Sequence, residues 1–380
     1  GNQDIGNYQS LTTFAAGGIN VFNVGGTSTK ISTTAPTRIA NPDLRWETTE
    51  QWNVGLDFGL FKDRIYGSFD YFEKKTFDML INLPIPTSTG FTTQLRNAGS
   101  IQNKGIELSL NTVNIEKTDF SWTTSVNLAT VKNKVLDLGG IEQIIEGGAG
   151  FSGGFFLTEE GQTMRSFYGY QIDGVWQTDD NFAATKDNVA PGDLKFRDIN
   201  GDSTVNADDR MILGNSFPDL TYSITNTLEY KNFSLMVFFE GIQGVSMLNQ
   251  NLVDTYFPIN LRRNKFAEPY LNRWTEDNPS DTYPSFINPS GQGTKQANSY
   301  TIEDASYFRL KTITLSYNLP DFMKQISSAS VYVTASNLWT VTGYSGIDPA
   351  VNPNGSALTR IDYNAYPTAK SFLVGLKLNF

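Results

Sequence analysis

The sequence has 380 residues, with 29 basic and 39 acidic side chains, a formal net charge of −10, and no cysteine or histidine. That excludes disulfide scaffolds, thiolate metal sites, His-ligated zinc and every mechanism that needs an imidazole base. The negative balance argues against nucleic-acid binding, which depends on neutralising phosphates.

Aromatic residues make up 13% of the chain, beside 33 glycines, a β-rich composition with many turns. No apolar run reaches the roughly 18 residues of a membrane-spanning helix. The opening Gly1–Ser10 carries no basic or apolar leader, so any signal peptide lies outside this chain. A mean hydropathy of −0.31 does not argue for solubility. Membrane β-barrels alternate apolar and polar residues and so average to polar.

Alternation with a period of two dominates the chain and predicts ten strands: 4–16, 46–60, 64–82, 99–114, 119–135, 218–230, 233–247, 305–319, 328–341 and 367–380. Trp52, Val54, Leu56, Phe58 and Leu60 share one face, opposite Asn53, Gly55, Asp57 and Gly59. Many of these strands exceed the usual length of about 5–6 residues and suit tilted membrane spans of about 9–11. In 305–319 the phase changes between Leu310 and Ile313, which predicts a bulge near Lys311–Thr312. Aromatics near strand ends, Trp46, Trp52, Tyr66, Tyr71, Trp122 and Tyr230, fit interfacial girdles.

The connections alternate in length. Short turns fall at 61–63, 116–119, 231–232 and 320–327, and long polar segments at 17–45, 83–98, 136–217, 248–304 and 342–366. This is the loop asymmetry of an outer-membrane barrel, whereas a tandem of soluble β domains has no reason to sort loops by length. Strand parity then requires 136–217 to contain no span or an even number. Arg165–Trp176 is therefore read as half of an external hairpin, paired with 150–158. Bilayer core tolerates no open sheet edge, so the strands either close a ten-stranded barrel or pair with a segment absent here.

Catalytic motifs fail on inspection. Gly148-Ala-Gly150-Phe-Ser-Gly153 matches a dinucleotide fingerprint but lacks the helix such a site needs. Ser152 sits in a G-x-S-x-G pattern with no imidazole to take its proton. The acid pairs Glu159-Glu160 and Asp179-Asp180 read as solvated loop charges. Phe151, Phe155, Tyr256, Phe257 and Trp274 are candidates either to stack on sugar rings or to pack against a partner protein.

One motif remains. Asp198–Asp209 spaces oxygen donors like a twelve-residue calcium loop, with Asp198, Asn200, Asp202 and Asp209 offering side chains and Thr204 its carbonyl. It departs from a sensor loop in Ser203 at the position of the usual glycine and in Asp209 at the last position. The flanks do not read as long helices. The alternative is an Asp/Asn-rich turn that satisfies itself. We expect a structural Ca²⁺ that pins the 136–217 region.

Several stretches together resemble a known family. They are Asn41-Pro-Asp-Leu-Arg-Trp-Glu47, Arg96-Asn-Ala-Gly99 through Gly105-Ile-Glu-Leu108, Phe167-Tyr-Gly-Tyr170 through Gln177, and Pro191-Gly-Asp-Leu194 before the 198–209 loop. Ile212–Pro218, Arg273–Pro279, Tyr307-Phe-Arg-Leu310, Ser336-Asn-Leu-Trp339 and the terminal Phe380 continue the series. The order is similar to the C-terminal half of SusC/RagA-type TonB-dependent outer-membrane transporters of Bacteroidota.

The resemblance implies an all-β fold, a transmembrane antiparallel β-barrel to which residues 1–380 contribute about ten C-terminal strands of 22. It also implies a plug with a TonB box absent from this chain, and a SusD-like surface lipoprotein seated on the extracellular regions 136–217 and 248–304. Non-enzymatic import of glycans, oligosaccharides or peptides, driven through the TonB complex, follows in turn. A non-transporting barrel in an adhesion or secretion assembly is the alternative. A barrel hydrolase is disfavoured because no histidine is present.

Overall fold

The computed structural model describes residues 10–24, 27–147, 154–257, 264–286, 295, 297–320, 328–351 and 360–379. Its largest element is a nine-stranded antiparallel sheet in which every strand pairs with the next in sequence. The strands are β1 (Thr48–Leu60), β2 (Ile65–Phe77), β3 (Ser100–Lys117), β4 (Phe120–Asp137) and β5 (Leu220–Tyr230). They continue as β6 (Phe233–Gln243), β7 (Tyr307–Asn318), β8 (Ser328–Thr342) and β9 (Ser371–Asn379). The shortest, β9, has 9 residues, and the others have 11 to 18, enough to cross a bilayer when tilted.

The first predicted strand requires correction. Residues 1–9 lie outside the described part, and residues 10–13 form no strand. Instead Phe14–Val24 pairs with Thr27–Pro36 in a separate hairpin. Thr27–Pro36 is β-branched but polar, so apolar alternation gives no sign of it.

Register explains why the wall holds together. Leu56 pairs with Phe69, Phe69 with Leu108, Leu108 with Leu128 and Leu128 with Tyr222, all on one face. The row below runs Phe58, Gly67, Leu110, Val126, Ile224, Phe239 and Leu310. The opposite face carries Asp57, Ser68, Ser109, Asn127, Ser223 and Glu240 in a single row. One side thus presents apolar surface to lipid and the other hydroxyls, amides and carboxylates to an aqueous interior.

Aromatics cap both ends of the apolar face. Phe120, Tyr230, Phe233 and Tyr317 line up at the short-turn end, with Phe233 and Tyr317 ring centroids 4.6 Å apart. Tyr222, Phe239, Phe308 and Trp339 cluster toward the other end at 5.3–6.1 Å. Tyr222 and Tyr230 are eight residues apart, roughly 26 Å along the strand and about 20 Å along the membrane normal at the usual tilt. That fits an apolar band of about 25 Å. Trp52, Tyr71 and Trp122 also lie on the apolar face, Trp52 and Tyr71 in contact at 5.6 Å. Tyr66 does not, since it pairs with Gly59 and Asn111 on the polar face. Trp46 sits in the connection before β1.

Turn chemistry matches the loop asymmetry. Phe61, Lys62 and Asp63 all adopt positive φ (57°, 61° and 61°), and Lys231 has φ 52° in a two-residue turn. Residues 321–327, at the remaining predicted turn, lie outside the described part. Lys311 is the predicted bulge, because Phe239 faces Leu310 while Phe238 faces Thr312. Across β8 the same bulge sets Leu310 opposite Trp339 and Thr312 opposite Ser336, and Asn337 takes φ 55°. Asn tolerates that conformation better than most residues, and its Nδ2 donates to Ala369 O at 2.9 Å.

Hydrophobic cores lie at the long-connection end. Phe155, Phe156, Phe167, Leu248 and Ile302 form one, Ile172, Val175, Leu194, Phe257 and Trp274 a second, and Val245, Met247, Ala305, Tyr344 and Val351 a third. The 136–217 segment folds into a four-stranded sheet (Gln143–Glu146, Phe156–Glu159, Ser166–Tyr170, Arg210–Gly214) and a pair, Ile172–Val175 with Leu194–Phe196. The expected hairpin is present, with Phe156 opposite Phe167 and Leu157 opposite Ser166. Segment 248–304 adds two short helices, α1 (Gln250–Thr255) and α2 (Ala267–Leu271).

Candidate functional site

The 198–209 loop is shaped by its own acids and amides. Asp198 Oδ1 accepts from Gly201 N at 2.7 Å and Oδ2 from Ser203 N at 2.7 Å. Asn200 Oδ1 accepts from Asp202 N at 2.9 Å, and Asp202 Oδ1 from Thr204 N at 2.8 Å. Ser203 adopts φ 68°, so the residue in the glycine position makes the sharp left-handed turn despite its Cβ. Asp209 is fully buried, and its oxygens accept from Ile199 N at 2.8 Å and Asn206 N at 2.8 Å. Burial pushes the Asp209 carboxyl up, but the backbone N–H donors of Asn206, Ile199 and Asn200 outweigh it and hold it below the usual value.

These contacts test the fit to a cation. The backbone curls as a calcium loop must, with the amides at the fourth and sixth positions on the first carboxylate. Among the described residues, however, no three His, Cys, Asp or Glu side chains gather as a metal-ligating group. Asp198, Asn200, Asp202 and Asp209 are instead turned toward backbone N–H groups. Each carboxylate oxygen keeps a second lone pair that a hard cation can use. The Thr204 carbonyl accepts from Asn206 Nδ2 at 3.4 Å.

Sequence reasoning missed the loop's buttress. Lys186 N donates to Ser203 O at 2.7 Å, and Lys186 Nζ to Asp202 O at 2.7 Å. Asp187 Oδ2 accepts from Val205 N at 2.9 Å. No spacing in the chain announces these partners, which meet the loop only through tertiary folding. Beside them lies a cavity of about 410 Å³ lined by Asp187, Asp198, Ser203 and Lys295. Lys295 Nζ lies 5.0 Å from the centre of the Phe196 ring, and burial lowers its pKa.

Of the loop aromatics considered for stacking, Phe155, Phe257 and Trp274 are 1%, 2% and 7% exposed, so they form core and meet neither sugar nor partner. Phe151 falls outside the described residues, as do the glycine-rich 148–153 motifs and Phe380. Tyr256 is partly exposed and packs edge-on against Phe266.

The other recurrent stretches turn out to be joints. Asn97 Nδ2 donates to Arg45 O at 2.7 Å and Asp78 O at 2.9 Å, while Asn97 Oδ1 accepts from Arg45 N at 2.8 Å. Asn41 Nδ2 donates to Leu95 O at 2.9 Å, so the 41–47 and 96–99 stretches lock to each other. At Gly105 a Cβ would come within 1.9 Å of the Thr130 carbonyl oxygen on the neighbouring strand and 2.9 Å of the Phe72 ring. Arg309 on β7 pairs with Asp348 beyond β8, the two side chains 3% and 5% exposed.

A barrel wall with an apolar outer band, its folded mass at one end and these joints is matched by a family model described as TonB dependent receptor-like, beta-barrel, over residues 6–338. The chain belongs to this family. Among relatives, it is 36% identical over 356 residues to TonB-dependent receptor P26 of Formosa agariphila, covering 90% of this chain and 36% of that protein. It is 31% identical over 366 residues to TonB-dependent receptor SusC of Bacteroides thetaiotaomicron, covering 93% of this chain and 34% of SusC. The structure of the RagAB peptide importer in the open-open state superposes with a TM-score of 0.80 at 28% identity, covering all of this chain and 39% of that one. The chain thus spans between a third and two fifths of the length of these relatives. The TonB-dependent receptor family is one of receptors and transporters, not of enzymes.

Proposed function

We propose that this chain forms the C-terminal wall and extracellular loops of a SusC-like outer-membrane importer, which takes up glycans, oligosaccharides or peptides under TonB drive. The observation that carries this reading is the two-faced register of the nine-stranded sheet, one face an apolar band between aromatic belts and the other polar. A sheet with open edges at β1 and β9 needs partners within a bilayer. In this reading the remaining strands of a 22-stranded barrel supply them, and an N-terminal plug that contacts TonB fills the interior. The folded regions within 136–217 and 248–304 form the seat for a SusD-like lipoprotein.

Uptake of candidate solutes by cells carrying the full receptor tests the reading, with and without a functional TonB complex. Uptake that persists without TonB overturns it. Co-purification of a surface lipoprotein, lost when 248–304 is replaced by a short linker, tests the seat.

In the same reading the 198–209 loop binds Ca²⁺ through Asp198, Asn200, Asp202 and Asp209 side chains and the Thr204 carbonyl. The preformed turn supports this, and the uncrowded carboxylates place the affinity at the weak end, about 0.1–1 mM. Bound ion would tie the loop to the 185–187 buttress. Chelation and Asp198→Ala should each raise protease cleavage within 185–210; unchanged cleavage in both removes the ion from the account.

A further inference from the structure

On its lipid-facing side the wall ends in a cluster of cations. Beyond Tyr71, Ile106 and Thr130, toward the long connections, the outward rows continue as Trp52, Glu73, Lys104 and Lys132, then as Glu50, Lys75, Gln102 and Lys134. Four lysines thus share these rows with two glutamates. Glu73 is already engaged, accepting from Lys75 Nζ at 3.0 Å and from Gln102 Nε2 at 2.7 Å. Among the described residues, no ion pair or hydrogen bond engages the Lys104, Lys132 or Lys134 ammonium.

Lys104 and Lys132 stand directly opposite each other across β3 and β4, and like charges so placed destabilise a sheet. Lys134 follows on the same face, roughly 7 Å further along β4. All three are exposed, and their flexible stems let the ammonium groups close on a single anion. A phosphate monoester suits them, with three acceptor oxygens and a charge near −2.

Height decides where that anion comes from. Lys132 is twelve residues along β4 from Phe120, which lies in the aromatic belt at the short-turn end. That is roughly 40 Å along the strand and about 30 Å along the membrane normal, just past the far edge of an apolar band of about 25 Å. Trp52 and Tyr71 sit at the foot of the cluster, and Ile106, 41% exposed, offers apolar surface below it. A lysine at this level lays its stem on apolar surface and lifts its ammonium among the headgroups. Both β3 and β4 are paired on each side, so the missing strands join the sheet elsewhere and leave this face to lipid.

We propose that Lys104, Lys132 and Lys134 bind the phosphate-monoester headgroup of an outer-leaflet lipid, whose acyl chains lie over Ile106 and Tyr71. The site belongs to the wall and not to the cargo path, so it stands apart from the importer reading.

Native mass spectrometry of the detergent-purified full receptor, titrated with lipid A, phosphatidic acid and phosphatidylcholine, tests it. At least one of the two phosphate-monoester lipids should bind saturably and more tightly than phosphatidylcholine. Lys132→Gln should weaken that binding about fivefold, and the triple Lys104→Gln, Lys132→Gln, Lys134→Gln variant at least about tenfold. Lys74→Gln, on the interior face of β2, should leave it unchanged. The single variant keeps the test decisive if the triple one fails to fold. Equal binding of phosphatidylcholine overturns the proposal, as does displacement of the lipid by an equal concentration of inorganic phosphate. Binding that survives the single and triple variants, or falls as far with Lys74→Gln, overturns it too. So does a receptor dimer that these outward substitutions dissolve while lipid binding persists, since the face would then belong to a second copy.

Discussion

Replacing Asp348 with alanine should release the last long connection from the wall. Asp348 accepts from the Arg309 guanidinium, from Ala350 N at 2.9 Å and from Thr368 N at 2.8 Å. Arg309 is 3% exposed, and its Nη1 already lacks a partner, so losing Asp348 strands a buried cation. Removing one member of a buried pair typically costs about 3–5 kcal/mol, which raises local opening a few hundred-fold or more. Hydrogen exchange of residues 343–351 and 360–370 in the full receptor should report this, while exchange in β3 and β4 stays unchanged. Arg309→Met with Asp348→Leu removes both charges and should cost less than Asp348→Ala alone. If the single variant leaves exchange unaltered, or the double variant is equally damaging, the pair does not hold this connection as argued. Burial pushes the Asp348 carboxyl up, but the N–H donors of Ala350 and Thr368 and the Arg309 guanidinium outweigh it, and its pKa lies below the ordinary 3.8. A depressed folded pKa means full stabilisation above 3.8 and loss as the pH falls through the folded value. The connection should therefore loosen only in strong acid.

The wall makes its own predictions. Leu108→Arg, in the middle of the apolar band, should destabilise folding into vesicles by about 2–4 kcal/mol, whereas Ser109→Arg, one residue on and facing the interior, should shift the urea midpoint little. Gly105→Val should collide with the Thr130 backbone carbonyl and cost about 3 kcal/mol, the upper end for overpacking, visible as a lowered midpoint that Phe72→Ala does not restore. Asn97→Ala removes two hydrogen bonds to Arg45 in the 41–47 joint and one to Asp78, and should speed proteolysis between residues 37 and 47. Asp209→Ala strands the N–H groups of Ile199 and Asn206, so amide exchange at 199–206 should rise even in excess Ca²⁺. Unprotonated Asp209 is the stabilising form, and its depressed pKa predicts that wild-type protection there survives mild acid.

What the sequence determined by itself was the wall. Strands such as Thr48–Leu60 and Phe120–Asp137 are written in alternation, because a sheet between lipid and water must repeat every two residues. The Lys311 bulge was legible for the same reason, since a slipped register moves every later side chain to the wrong face. The Thr27–Pro36 strand was not legible, because its residues are mostly polar and alternation of apolar side chains has nothing to mark there. The 198–209 loop was recognisable from acid spacing, yet its buttress at 185–187 was invisible, since hydrogen bonds between distant segments leave no periodicity. Phe155, Phe257 and Trp274 looked like exposed loop aromatics and became core once two small clusters formed around them. Tertiary structure alone also brought Asn97 to Arg45, Arg309 to Asp348, and Asn251 beside Asn364. Composition and charge excluded chemistry, alternation placed the membrane, and only folding decided which polar residues meet at the mouth of the wall.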